Sequence, residues 1–156
     1  MTTITPYLWF DNNAEEAITL YSSLFDDAKI TNQARYPEGM PQAGLLMNVE
    51  FDLAGQKFIA LNGGPHFAFT EAVSFLVSVE TQDEVDRLWN ALTAEGGQES
   101  RCGWLKDRFG LSWQIVPSAL GRYLSDPDPE RAGRVMRAMM QMTRIVIADL
   151  DAAAAG

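Results

Sequence analysis

Few residues in this sequence pair a reactive side chain with one that could activate it. The chain has one cysteine, Cys102, and one histidine, His66, and a thiol with an imidazole as its base is a nucleophilic pair. Arg101 precedes Cys102 and would favour the thiolate if the two side chains met. A lone cysteine between Arg101 and Gly103 equally suits a small packing residue. His66 follows Gly63-Gly64-Pro65 in a loop, where a solvated ring and a pocket rim are both open readings. A second set is polar without being reactive: Ser74, Ser78, Ser112 and Gln114 fall on one side of two apolar runs, where they would face water or a ligand. Trp104, Trp113, Phe67 and Phe69 could stack on a planar molecule. Trp113 and Trp89 fit strand-to-helix packing better, whereas Gly103 beside Trp104 admits another backbone or a ligand. Lys106-Asp107-Arg108 reads as a solvated hairpin tip.

The elements that must position these residues are clearest from Glu71 to Pro117. In Val73 to Val79, Val73, Phe75, Val77 and Val79 share one face and Ser74, Leu76 and Ser78 the other, the alternation of a strand. Thr81 and Glu84 form a capping box. Val85, Leu88, Trp89 and Leu92 recur at helical spacing until Gly96-Gly97. Two apolar runs follow, Cys102 to Leu105 and Leu111 to Val116, joined by a turn through Asp107-Arg108-Phe109-Gly110. The first half repeats this order. A strand over Ile4 to Phe10 leads to a capping box of Asn13 with Glu16. A stripe of Ala14, Ala17, Ile18, Tyr21, Leu24 and Phe25 then precedes strands over Lys29 to Tyr36, Leu45 to Leu53 and Gln56 to Leu61. Ala54-Gly55 makes a tight hairpin between the last two. Asn13 with Thr81, Tyr21 with Trp89, and Leu24 with Leu92 each lie 68 positions apart, and Phe58 takes the part of Trp113, which points to duplication. After Pro117 the pattern turns helical: Ser118 to Leu124, a helix from Glu130 after Pro129, and an alanine-rich helix over Ile147 to Ala155. In the second of these, Ala132, Val135, Met136, Met139 and Met140 face away from Arg131, Arg134 and Arg137. That methionine face needs a partner surface, in its own domain or a second subunit.

At 156 residues and 47% hydrophobic composition the chain can bury a substantial core. Its net charge of −9 argues against nucleic acid or an anionic membrane as partner. No basic leader opens the chain and no apolar run reaches the length of a bilayer span, so neither signal peptide nor membrane anchor is expected. A single cysteine forms no internal disulfide, which fits a reducing cytoplasm.

Asn13 to Tyr21, Asn62-Gly63-Gly64-Pro65, Glu71 to Val79, Asp83 to Trp89, Cys102 to Asp107 and Phe109 to Pro117 together resemble the vicinal oxygen chelate superfamily. Within that group of glyoxalases, extradiol dioxygenases and bleomycin-resistance proteins, the closer likeness is to the PhnB-like branch, labelled 3-demethylubiquinone-9 3-methyltransferase. The resemblance implies an α+β fold of two βαβββ modules, the first over 1–65 and the second over 71–117, each curling its strands into a half-barrel that lines a pocket. The helical extension, 118–156, would serve packing or dimerisation, and family habit with the methionine face implies a homodimer. With the polar and aromatic residues above, the resemblance gives a candidate pocket of Asn62, His66, Ser74, Cys102, Trp104, Ser112 and Gln114.

Metal-dependent members of the superfamily place ligands on the first and last strand of each module. Carried over, these positions fall at or beside Pro6, among Ile59 to Asn62, on Ser74 and on Gln114. Divalent metals want histidine and carboxylate; proline and the aliphatic residues donate nothing, serine is poor, and only Gln114 is passable. No metal and no other cofactor is therefore expected. The methyltransferase label meets a similar objection, because Asp11-Asn12-Asn13 stands where a methyl-donor fold needs a glycine-rich turn after its first strand. The leading reading is a cytoplasmic, metal-free protein that binds an unidentified small molecule. The alternatives are a glyoxalase-like metal-dependent isomerase or lyase, and a dimeric interaction protein whose own aromatic side chains fill the pocket.

Overall fold

Alternating burial along the strands divides each of two four-stranded sheets into a helix-covered face and an open one. The computed structural model describes residues 1–156, which form two units, residues 1–69 and 70–156. In the first unit, β1 (Tyr7–Phe10), α1 (Ala14–Leu24), β2 (Lys29–Arg35), β3 (Leu46–Leu53) and β4 (Gln56–Asn62) build a sheet of order β1-β4-β3-β2. β1 runs parallel to β4 and the other pairs are antiparallel. In the second unit, β5 (Ser74–Val79), α2 (Gln82–Thr93), β6 (Gln98–Glu99), β7 (Trp104–Lys106) and β8 (Ser112–Pro117) repeat that plan as β5-β8-β7-β6, with β5 parallel to β8. The expected doubling of a βαβββ order is present, down to the fully buried Tyr21 of α1 and Trp89 of α2.

Leu8, Phe10, Leu46, Val49, Phe51, Leu53, Phe58 and Ala60 are the buried positions of the first sheet, and Ala14, Ala17, Ile18, Tyr21 and Leu24 are those of α1. The β3–β4 hairpin turns at Ala54 and Gly55, both at positive φ (47° and 83°), as a two-residue hairpin requires. β1 is shorter than Ile4 to Phe10 because Ile4 is exposed and pairing begins only at Tyr7. The expected Asn13 box does not form. Asn13 is the N-cap residue but makes no side-chain cap bond, and the Ala14 amide instead donates to Asn62 Oδ1 at 2.9 Å.

The Thr81–Glu84 box is complete: the Glu84 amide donates to Thr81 Oγ1 at 3.2 Å, and the Thr81 amide to Glu84 Oε2 at 3.0 Å. The amides of Glu80 and Thr81 also hold the Glu84 carboxyl below its ordinary range. Trp89 and Trp113 are both buried, as strand-to-helix packing predicts. Trp89 donates from Nε1 to Glu99 Oε1 at 2.6 Å, and Trp113 from Nε1 to Asp107 Oδ2 at 2.9 Å. Asp107 also accepts the amides of Phe109 and Leu111 and is 2% exposed, so the turn before β8 is organised by a buried carboxylate rather than being a solvated tip.

The C-terminal helices α3 (Ser118–Leu124), α4 (Pro129–Met140) and α5 (Ile147–Ala155) belong to the second unit. Leu120, Val135, Ile145, Leu150 and Ala154 form their buried cluster, with Met139 and Met142 packed against it. The methionine face is thus divided: Val135 and Met139 turn inward, while Met136 and Met140 stay exposed. Arg134 is not left on a solvated face. It donates to the carbonyls of Ala153 and Ala154, the orphan acceptors at the end of α5. The Gln82 carboxamide ties the chain before α5 to α2, donating to the Ile145 carbonyl at 3.1 Å and accepting the Ile147 amide at 2.8 Å. No helix is long and apolar enough to cross a membrane.

Candidate ligand site

Strand register decides which candidate residues meet. Gln98 lies opposite Lys106, Lys106 opposite Ser112, and Ser112 opposite Ser74. Directly opposed residues point to the same face, so this polar rung crosses all four strands of the second sheet on the side away from the buried Leu105, Trp113 and Ile115. The next rung sets Trp104 opposite Gln114 and Gln114 opposite Leu76. Ser74, Trp104, Ser112 and Gln114 therefore share one surface, and Gln114 Nε2 donates to Ser74 Oγ at 2.9 Å.

Trp104, Lys106, Ser112, Gln98 and Glu71 line a recess of about 120 Å³ on this face. Ser112 is 1% exposed, and its hydroxyl has no hydrogen-bond partner. A buried hydroxyl without a partner is uncommon, because it has given up water and gained nothing. Lys106 forms an ion pair with Glu71, and its ammonium holds the Glu71 carboxyl below the ordinary carboxylate range.

Asn62 and His66 belong to the first unit, in a cleft of about 500 Å³ that Asp11, Glu15, Tyr36 and Leu46 also line. The Asn62 side chain is committed to the helix cap, and its carbonyl accepts the Tyr36 hydroxyl at 2.5 Å. Trp9 Nε1 donates to the Gly64 carbonyl at 2.9 Å, and His66 packs edge-on to the Trp9 ring with centroids 6.4 Å apart. Sequence reasoning missed Asp11, Glu15 and Tyr36 because they come from three separate loops and elements that only the fold assembles. It also missed Lys106 and Glu71, although the alternation Trp104–Lys106 places Lys106 on the face of Trp104.

Cys102 is not among the residues that line the recess of the second sheet. It sits at φ 59° in the turn before β7, where its amide donates to the Met142 carbonyl at 2.8 Å. Gly103 does permit a close approach, but by this chain: a Cβ there would meet the Ile115 carbonyl oxygen at 3.0 Å and Ile145 Cγ1 at 3.1 Å.

The four positions onto which the resemblance carries the metal ligands hold neither histidine nor carboxylate. Pro6 has no side-chain donor and Asn62 is engaged at a helix end. Ser74 and Gln114 bond to each other, and nowhere do three or more His, Cys, Asp or Glu side chains converge. Serine and carboxamide oxygens are weak ligands for a divalent transition ion, so the residues present do not fit one.

A family model described as 3-demethylubiquinone-9 3-methyltransferase matches residues 2–116. The PhnB protein of Bacillus cereus is 34% identical to this chain, with a TM-score of 0.67 over 74% of this chain and 99% of that one. Protein PA1353 of Pseudomonas aeruginosa is 23% identical over 75% of this chain and 98% of its own, with a TM-score of 0.62. The fosfomycin resistance protein FosX of Listeria monocytogenes, solved with Mn(II) and sulfate, shares the fold at 11% identity and a TM-score of 0.50, covering 74% of this chain and 89% of that one. No curated protein matches.

Proposed function

The chain belongs to the 3-demethylubiquinone-9 3-methyltransferase family, to which its likeness to PhnB also points, and from that premise we propose that it binds a small organic molecule without a metal. The observation carrying this reading is the Ser112 hydroxyl, buried and unpartnered beneath an open face that also presents Trp104, Ser74 and Gln114. A fold that needed this surface only for packing would gain stability from alanine at that position. Tryptophan beside polar donors is the usual composition of a small-molecule site.

The family's name describes methyl transfer, and the chain's own features argue for a different role. The turn after β1 is Asp11-Asn12-Asn13, which lacks the glycines that let a backbone approach a nucleotide-like cofactor. The sheet order β1-β4-β3-β2, mostly antiparallel, also differs from the parallel doubly wound sheet on which that device works. A homodimer is part of the proposal, supported by the exposed Met136 and Met140 on α4.

Native mass spectrometry of protein purified without chelator, run beside elemental analysis, tests this reading. An organic adduct with substoichiometric metal supports it. Stoichiometric Mn, Zn or Ni whose removal abolishes a lyase or isomerase activity would replace it with the metal-enzyme alternative. Light scattering on the same sample checks for a mass of two chains.

A further inference from the structure

We infer that the recess on the second sheet binds an oxyanion, a carboxylate or phosphate group carried by the small molecule, with Lys106 and Ser112 as donors and Glu71 as the group it displaces. This rests on the small-molecule reading and names the chemistry of that site. The rung Gln98, Lys106, Ser112 and Ser74 sets an ammonium, two hydroxyls and a carboxamide side by side on one face. Ser74 Oγ accepts from Gln114, which leaves its own proton to donate. The Ser112 hydroxyl has no partner at all. Such a row of donors is unfinished until an acceptor with several lone pairs arrives.

The protein already shows which acceptor fits. Glu71, in the segment before β5, lays its carboxylate on Lys106 in this recess. The other carboxylate lining the recess, Glu99, accepts from the Trp89 indole. Glu71 is 62% exposed at its side chain while Lys106 is 32% exposed, so the acid can leave for water more readily than the base can follow. An exposed ion pair of this kind is weak and exchangeable. A ligand oxyanion that replaces Glu71 on Lys106 would also reach Ser112, and its remaining body would lie along Trp104 one rung away. The volume of about 120 Å³ admits a head group rather than a whole metabolite, so the rest of the ligand extends over the open face.

The test uses benzoate, inorganic phosphate and the neutral isostere benzamide, each titrated into the full-length protein while the Trp104 indole resonance is followed by NMR. Trp104→Phe supplies the assignment. Benzoate, phosphate or both should shift that resonance saturably, the stronger of the two identifying the source of the oxyanion, and benzamide should not. Lys106→Gln should weaken binding at least tenfold and Lys106→Arg should restore most of it. Glu71→Gln should tighten binding several-fold, because it removes the internal competitor; a merely structural ion pair would not produce that gain. Equal binding of benzamide and benzoate would overturn the oxyanion assignment and leave the small-molecule reading standing. No shift with any anion, even in Glu71→Gln, would also overturn it, and the native mass spectrum would then decide the broader reading by itself.

Discussion

Asn62 Oδ1 accepts the amide of Ala14 at 2.9 Å, so the last residue of β4 caps the helix that follows β1, 48 positions earlier. This bond ties the end of β4 to the start of the helix that follows its parallel neighbour β1. Its removal should be felt as a lost helix cap, which costs about 1 to 2 kcal/mol. Asn62→Ala should lower the denaturation midpoint accordingly, whereas Asn13→Ala, at a position without a side-chain cap bond, should change it by less than about half that amount. Urea titrations of both variants provide the comparison.

Why sequence reading found one cap and missed the other follows from distance along the chain. The Thr81–Glu84 box is local, and the two residues that form it stand three apart. The first helix has the comparable pair Asn13 and Glu16, yet Asn13 makes no side-chain cap bond, and the one side chain that reaches the first amide of the helix, Ala14, comes from Asn62 at the end of a distant strand. The same division holds for the site. Alternation placed Ser74, Ser112 and Gln114 on one face, because a strand's two sides are written in its own sequence. Lys106-Asp107-Arg108 reads as one solvated tip in the sequence, since nothing local shows that the Asp107 carboxylate turns in to bind Trp113 while Lys106 turns to the other face. The doubled βαβββ order was readable from stripes and caps alone, and the assembly of the Asp11, Glu15 and Tyr36 cleft was not.

Gln82 secures the C-terminal chain through both ends of its carboxamide, to the carbonyl of Ile145 and the amide of Ile147. Gln82→Ala leaves both groups without their partner, at a cost of about 1 to 3 kcal/mol if they stay buried. Hydrogen exchange should show faster exchange at Ile147 and the first turn of α5, with β8 unchanged.

Asp86 accepts from Gln82 Nε2 at 3.0 Å and from Arg144 Nη1 at 3.1 Å. The Gln82 hydrogen bond is the largest effect and lowers its carboxyl; burial opposes it, and the hydrogen bond and charge of Arg144 add to the lowering, so the carboxyl sits below the usual range. The folded value is depressed, so the contribution to stability is present above the ordinary carboxylate pKa and fades as pH falls through the folded value. Asp86→Asn should therefore lower stability at pH 7 and flatten its decline on acidification. Thermal melts at pH 3, 4, 5 and 7 compare the slopes, and parallel slopes for variant and parent would contradict this assignment.

Gly63 faces the Trp9 ring so closely that a Cβ would lie 2.4 Å from Cζ2 and 2.5 Å from Cε2. The ring is pinned by its bond to the Gly64 carbonyl and cannot swing aside without losing it. Gly63→Ala should destabilise the first unit by about 1 to 3 kcal/mol, the range for overpacking. A near-ultraviolet circular dichroism change would report the displaced indole.

Ser112→Ala separates a functional hydroxyl from a structural one. In the unliganded protein the Ser112 hydroxyl is buried with nothing to bond, so replacing it by a methyl group should raise stability by about 1 kcal/mol. A ligand that uses the hydroxyl should bind the variant more weakly, so the two effects have opposite sign. Melting temperatures without and with saturating benzoate or phosphate test both together: alanine should melt higher alone and gain less from the anion. A structural serine would give a lower melting temperature alone and an unchanged gain.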